Sequence, residues 1–451
     1  MDKISFRNHF ALLVENIISN FIFALGLGIF IGRRINKDYR YILILVIAIL
    51  IIVTVIFPIL KWRKTTITID KDLVVQETNT IFKKKNTLAI STISNVNLIQ
   101  NIFEKILGVY KLKIDTDTSS TADETDIVII LKREKAQEVK AILEGKNINE
   151  IINEEDLYDI KYSNKDIVLN SILSLPIISI IYLIAAAILT ISDFSFKEFL
   201  EGKNIFEIIF YVLFTTIPAI YGTLSNLFKF YNFKIGRRKN ELHISYGLFT
   251  KRNYVIPVDK INAIIVKEYT IGRLFKRKWV EIVNVGTGDD DNEGSFILLC
   301  EKRKDFSKKI NMLLPEYNLE EKLEKQSKKY IFTLIPYMLL FLIALGVLVY
   351  FTTWHLIFIS LGVIAICILR YINTGVKIGQ DDLIISKGVF VKTTKYIKYK
   401  KIQMLEISQG AISKPLKIAK ASIYILGSLI NTVHSIGYYD EEVFEEISDK
   451  L

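Results

Sequence analysis

Thiol and metal chemistry have little to work with in this chain. Its 451 residues include two cysteines, Cys300 and Cys367, and four histidines, His9, His243, His355 and His434. The cysteines are far apart and Cys367 sits in an apolar run, so neither a disulfide framework nor a cysteine metal site is available. No histidines fall at metal-ligand spacing, which argues against a zinc or di-metal hydrolase. Phosphate-loop and calcium-loop signals are also missing. Gly286-Thr287-Gly288 lacks the GxxxxGKS/T spacing, and Asp289-Asp290-Asp291-Asn292-Glu293-Gly294 lacks the alternating ligands and closing Glu of an EF-hand. Both read as solvated turns, as do Asp115-Thr116-Asp117 and Asp123-Glu124. The acidic groups at the apolar runs are Glu15 and Glu207, each near a run end where it reaches the interface, and a proton-coupled transporter needs more than that. The expectation is a protein without enzymatic activity, metal or cofactor.

Apolar residues are abundant. They make up 51% of the chain, with mean hydropathy +0.31, yet 24% of residues are charged, so the two kinds are segregated along the sequence. Disorder is excluded and a single soluble globule is disfavoured. Six apolar runs approach the ~20 residues that a bilayer crossing requires. They cover residues 10–31, 41–60, 167–191, 208–228, 330–351 and 354–369, and pair into three hairpins. The first run carries no small-residue cleavage site and a second follows closely, which disfavours a signal peptide. Pro58, Pro176, Pro218 and Pro336 inside the runs read as kinks.

A polar segment follows each hairpin. The expected organisation is hairpin 1 (1–60), module 1 (61–143), linker (144–166), hairpin 2 (167–228), module 2 (229–314), linker (315–329), hairpin 3 (330–369) and module 3 (370–451). Each module opens with alternating Ile, Val, Thr and Tyr stretches, a strand signal, and ends in an amphipathic stretch that reads as helix. In the last of these Val443, Phe444, Ile447 and Leu451 form the apolar stripe.

The modules repeat. A shift of 141 aligns residues 233–286 with 374–427 without a gap, so that Leu242, Ile244, Gly247, Phe249, Lys251, Ile261 and Lys276 meet Leu383, Ile385, Gly388, Phe390, Lys392, Ile402 and Lys417. A shift of 168 brings in the first copy less closely, with Ile90-Ser91-Thr92-Ile93 on Val258-Asp259-Lys260-Ile261. Gly247 and Gly388 fit a hairpin turn that needs positive φ. The shared apolar residues, Leu242, Ile244, Phe249, Ile261 and Ile264 in the second copy and Leu383, Ile385, Phe390, Ile402 and Leu405 in the third, are the expected core.

The unit of two apolar helices, then Leu-x-Ile-x-x-Gly-hydrophobic-Phe-x-Lys, then Ile-Gly-Arg-Leu-Phe, resembles the bacterial pleckstrin-homology-like (PH-like) domain of the second type. Three such units resemble a Gram-positive transmembrane family with three hairpin-plus-domain repeats. The first copy departs from the pattern, with Gln76-Glu77-Thr78-Asn79-Thr80 where the glycine turn stands elsewhere. The resemblance implies a polytopic α-helical membrane protein with three β-rich (α+β) PH-like domains, each a bent sheet or partly open barrel closed by a C-terminal helix. It also implies a non-catalytic binding or assembly role and a small membrane partner with one hairpin and one such domain. Through some relatives the resemblance also implies a link to envelope stress or antimicrobial-peptide tolerance, which no motif in this sequence carries.

Charge bias orients the chain. Lys229, Lys234, Arg237, Arg238 and Lys239, with Lys322, Lys325, Lys328 and Lys329, flank the module side of hairpins 2 and 3, which places the N-terminus and modules in the cytoplasm of a multi-pass cell-membrane protein. Arg33, Arg34, Lys37 and Arg40 in the first loop run against this. Module 2 is the most basic, with 18 Lys and Arg against 10 Asp and Glu. Its clusters Arg237-Arg238-Lys239, Lys251-Arg252 and Arg273 with Lys276-Arg277-Lys278 are the candidate residues for binding anionic membrane lipids or a partner. A solvated basic face that obeys the charge bias is the plainer alternative. Nucleic acid is not expected, because Phe275 and Trp279 sit at strand-like or core positions. The functional expectation is a membrane scaffold that forms homo- or hetero-oligomers; the rival is a transporter or lipid-translocating protein with the modules as regulatory caps.

Overall fold

A computed structural model describes residues 3–14, 17, 26, 40–80, 82–116, 127–145, 157–176, 221–284, 295–317, 319, 322–351, 357–426 and 433–451. Most of the first apolar run and most of the 208–228 run lie outside these residues, as do the turn at 352–354 and the Gly286–Gly294 loop. The 41–60 run forms part of the helix Arg40–Lys64, which continues through Pro58. The last two runs form the helices Tyr330–Phe351 and Phe358–Asn373. By length and composition, Tyr330–Phe351 is the one helix among the described residues that suffices to cross a membrane, and Ser360–Asn373 is a shorter apolar one.

The run beginning at residue 167 differs from its expectation. Its first turns belong to the helix Asn164–Leu173, where Ser163 and Asp166 form a capping box and Ile167, Asn170, Ser171 and Leu173 are buried. Trp279 Nε1 donates to Asn170 Oδ1 at 2.6 Å, fixing this helix to module 2. The helix ends just before Pro176, whose ring disfavours helical geometry in the residue ahead of it. Leu169 and Leu173 therefore pack against Trp279 and Ile167 is buried, while Val168 and Ile172 are exposed.

The chain divides into two compact units, Met1–Glu154 with Phe249–Val255, and Glu155–Leu248 with Ile256–Leu451. In the first, Ile4–Phe6, Thr65–Ile69, Leu73–Asn79 and Lys83–Ala89 form an antiparallel four-stranded sheet in that order. Ile93–Gln100, Val109–Thr116 and Ile127–Lys132 follow as antiparallel neighbours, and Lys251–Asn253 pair with Leu98–Gln100 along their edge. Period-two alternation sends Ile67, Ile69, Val74, Val96, Leu112, Ile114 and Ile129 into one core. The helix Arg133–Leu143 closes that core with Ala136, Val139 and Leu143.

In the second unit one sheet runs Ser295–Lys302, Arg277–Val283, Ala263–Glu268, Lys392–Lys398, Asp382–Lys387, Gly375–Ile378 and Glu324–Lys325. It joins the last strands of module 2 to the first strands of module 3, in the register Ala263↔Ile397 through Glu268↔Lys392. The core of module 3 consequently includes Ala263, Ile265 and Val283 from the preceding copy. A three-stranded sheet, Ile402–Ser408, Ile418–Ile425 and Val433–Asp440, faces that core. The helix Glu441–Asp449 closes it with Phe444 and Ile447, each fully buried and contributing about 1.5–3 kcal/mol.

Each module also takes a strand from ahead of its hairpin. Ile4–Phe6 pairs with Thr65–Ile69, Ile160–Lys161 with Lys234–Arg238, and Glu324–Lys325 with Gly375–Ile378. A buried polar residue stands one or two positions after each of these: Asn8, Tyr162 and Gln326. Asn8 Oδ1 accepts from Ile130 N, and Tyr162 Oη accepts from Leu299 N while donating to Glu301. In the first two modules that residue pins the strand to the backbone of the module's last strand.

Some expected core residues are elsewhere. Leu242, Ile244, Ile261, Ile264, Leu383 and Ile385 are buried, but Phe249 and Phe390 are 46% and 37% exposed. Both follow the turn glycines, where the chain leaves the sheet. Leu451 lies past the closing helix and is exposed, and Phe275, expected in a strand or core position, is 62% exposed. Gly247 and Gly388 take the anticipated positive φ of 110° and 128°.

Candidate functional site: a basic cavity at the seam of two modules

Alternation along the paired strands Ala263–Glu268 and Lys392–Lys398 gives their two faces different tasks. Ala263, Ile265 and Ile397 point to the core of module 3. Val266, Glu268, Lys392, Thr394 and Tyr396 line a cavity of about 490 Å³. Arg273, Lys276, Lys278, Arg303, Lys322, Leu319 and Leu323 complete its walls, so six cationic side chains face one carboxylate, that of Glu268.

Local structure positions the cations. Arg273 lies in the short helix Thr270–Leu274, and its Nη2 donates to Asn373 Oδ1 at 3.1 Å. Asn373 is the last residue of the apolar helix Phe358–Asn373, and its amide donates to Gly388 O and Val389 O. One cavity wall is thereby tied to the end of an apolar helix. Lys276 holds φ at 52°, in the left-handed region, as do its counterparts Lys417 at 51° and Gly108 at 65° in the other copies. Lys278 passes over the Phe306 ring at 4.6 Å, and Tyr396 Oη donates to Leu319 O, anchoring the connector that brings Lys322 to the rim. Beside this wall Leu274 and Phe275 are 79% and 62% exposed, between Arg273 and Lys276 in sequence.

Of the nine candidate basic residues, three (Arg273, Lys276 and Lys278) line the cavity. Arg237 makes a two-pronged pair with Glu316 at 2.6 and 2.8 Å, which holds the Glu316 carboxyl below its usual range and raises the guanidinium. Arg238 pairs with Asp159 at 2.8 Å. Lys239 occupies the turn before Glu241 at φ 52°. Lys251 and Arg252 lie in the first unit, opposite Gln100 and Ile99, and Arg277 donates to Cys300 O. Sequence reasoning missed Arg303, Lys322 and Lys392. Lys392 was visible as the counterpart of Lys251, whereas Lys322 and Arg303 approach only through the tertiary fold.

Behind the cavity floor lies a buried charged cluster. Glu281, 2% exposed, pairs with Lys267 at 2.6 Å, and burial raises its pKa against the pull of that lysine. Lys395 contacts His434 Nδ1 on the strand Val433–Asp440. Burial first, then Lys387 and Lys267, push Lys395 down to about 7, and burial with Lys395 and Lys387 pushes His434 down to about 3. Such unfavourably buried groups persist where the surrounding packing over-determines their position.

The bent antiparallel sheets, their closing helices and the basic recess define a multi-module β protein with a pocket suited to an anionic group. The chain belongs to the Bacterial PH domain family, whose profile matches residues 21–147, 168–305 and 330–451. One curated relative is the UPF0699 transmembrane protein YdbT of Bacillus subtilis (strain 168), 25% identical over 472 residues that cover 97% of this chain and 92% of the relative. No solved structure matches.

Proposed function

We propose that this chain is a multi-pass membrane protein without enzymatic activity, whose cytoplasmic PH-like modules act as a scaffold and dock on anionic phospholipid headgroups. The observation that carries this reading is the basic cavity, held through Arg273 and Asn373 to the end of an apolar helix. Leu274 and Phe275 beside it suit insertion at the headgroup boundary, with Arg273 and Lys276 reaching phosphates. The relative's designation as a transmembrane protein and the apolar helix Tyr330–Phe351 support the membrane setting. A small membrane protein with one PH-like module is the partner that the scaffold reading calls for.

Each cation near an anionic leaflet contributes ~1 kcal/mol, roughly fivefold in affinity. Native mass spectrometry of the full chain in mild detergent, titrated with phosphatidylglycerol, should show Arg303→Glu/Lys322→Glu retaining at least tenfold less lipid than the unmodified chain. Equal retention, or equal retention of phosphatidylcholine by the unmodified chain, defeats the reading.

A further inference from the structure

The junction between modules is built twice in the same register. Lys251 stands opposite Gln100, and Lys392 stands opposite Glu268. The repeat shifts of 168 and 141 convert one pair into the other. Strands of the Lys251–Pro257 and Lys392–Lys398 type are each used by the preceding copy's strand, Ile93–Gln100 or Ala263–Glu268.

The same shifts place two further strands that lack this partner. Lys83–Ala89 is the first copy's version of Lys392–Lys398, and it ends its sheet. Ile402–Ser408 is the third copy's version of Ala263–Glu268, and it also ends its sheet. Among the described residues neither edge is hydrogen-bonded to a further strand. Burial records the difference. Ile407 is 46% exposed, whereas Leu98 and Val266 at the same position are 8% and 3% exposed. Met404 is 49% exposed where Ala263 is fully buried. An open edge bearing large apolar side chains is a template for strand addition.

We propose that Ile402–Ser408 of one chain pairs antiparallel with Lys83–Ala89 of a second copy, continuing head to tail the junction already formed twice within the chain. A second copy is the occupant because the chain itself carries the complementary edge. Carrying the register over sets Leu88 opposite Met404, Lys85 opposite Ile407 and Asn86 opposite Glu406. Both open edges are satisfied by one contact, and the contact is heterologous, so it extends into a ring or a row. This inference does not depend on lipid docking.

The test uses two tagged full-length copies co-expressed in membranes with Cys300→Ala and Cys367→Ala. One carries Leu88→Cys and the other Met404→Cys. Oxidation should give a mixed-tag adduct, and replacing Met404→Cys by Lys420→Cys on the neighbouring strand should abolish it. Ile407→Lys, which sets a charge against Lys85, should reduce the detergent-solubilised mass from two or more chains to one without changing the circular dichroism. Three results would overturn the proposal: a single-chain mass for the unmodified protein at micromolar concentration with no adduct, a disulfide formed only when both cysteines are in one chain, or Met404→Cys captured by a different protein in place of the second copy.

Discussion

Single residues carry the cost of the tight turns and of the buried charges. A Cβ on Gly388 would meet Val391 O at 1.9 Å, and its φ of 128° is closed to other residues. Gly388→Ala should lower stability by about 1–3 kcal/mol, read as a fall in melting temperature. The left-handed site runs the other way. Lys417→Gly, which copies Gly108, should raise stability by about 1 kcal/mol because the Cβ clash of that conformation disappears. Lys395 titrates near 7 when folded and near ~10.4 when unfolded, so between those values the unfolded chain binds more protons. Stability should therefore rise with pH from about 7 to about 10, and Lys395→Met should flatten that rise in thermal melts across the range. His434 adds a second rise, because its folded pKa of about 3 lies below the ~6.5 of an unfolded histidine and stability falls as pH drops through that window.

At the scale of elements, the strand Ala263–Glu268 holds two modules together. Ile265 is numbered with module 2 and packs in the core of module 3. Ile265→Ala should cost about 2–5 kcal/mol and speed amide exchange in Ile418–Ile425, more than 150 residues away in sequence. Exchange accelerated only within module 2 would contradict the shared core. The strands taken from ahead of each hairpin have a related consequence. Two residues such as Ile160–Lys161 or Glu324–Lys325 are too short to show a period, and they fall within segments that read as polar linkers. Their pairing is decided by the open edge of a later strand.

At the largest scale, modules 2 and 3 share one sheet within the second unit. A fragment of residues 370–451 lacks both Glu324–Lys325 and Ala263–Glu268, and should fail to give the dispersed amide spectrum of a folded domain, whereas 256–451 in detergent should retain it. The repeat, the β-rich modules and the closing helices are legible in the residue order, because period-two alternation, the turn glycines Gly247 and Gly388, and the stripe through Phe444 and Ile447 are local patterns, and the family resemblance rests on the motifs these copies share. The residue order also marked Arg273, Lys276 and Lys278 as a basic cluster. Tertiary structure decided which cations face a common cavity, since Arg237 and Arg238 are taken by Glu316 and Asp159 while Arg303 and Lys322 arrive from distant segments. It likewise decided that the 167–173 stretch packs on a module, that Phe249, Phe275 and Phe390 are exposed, and that sheets pass from one copy to the next. Those outcomes depend on which strand edge is left open for a partner, and edge pairing is a long-range choice that leaves no period in the residues making it.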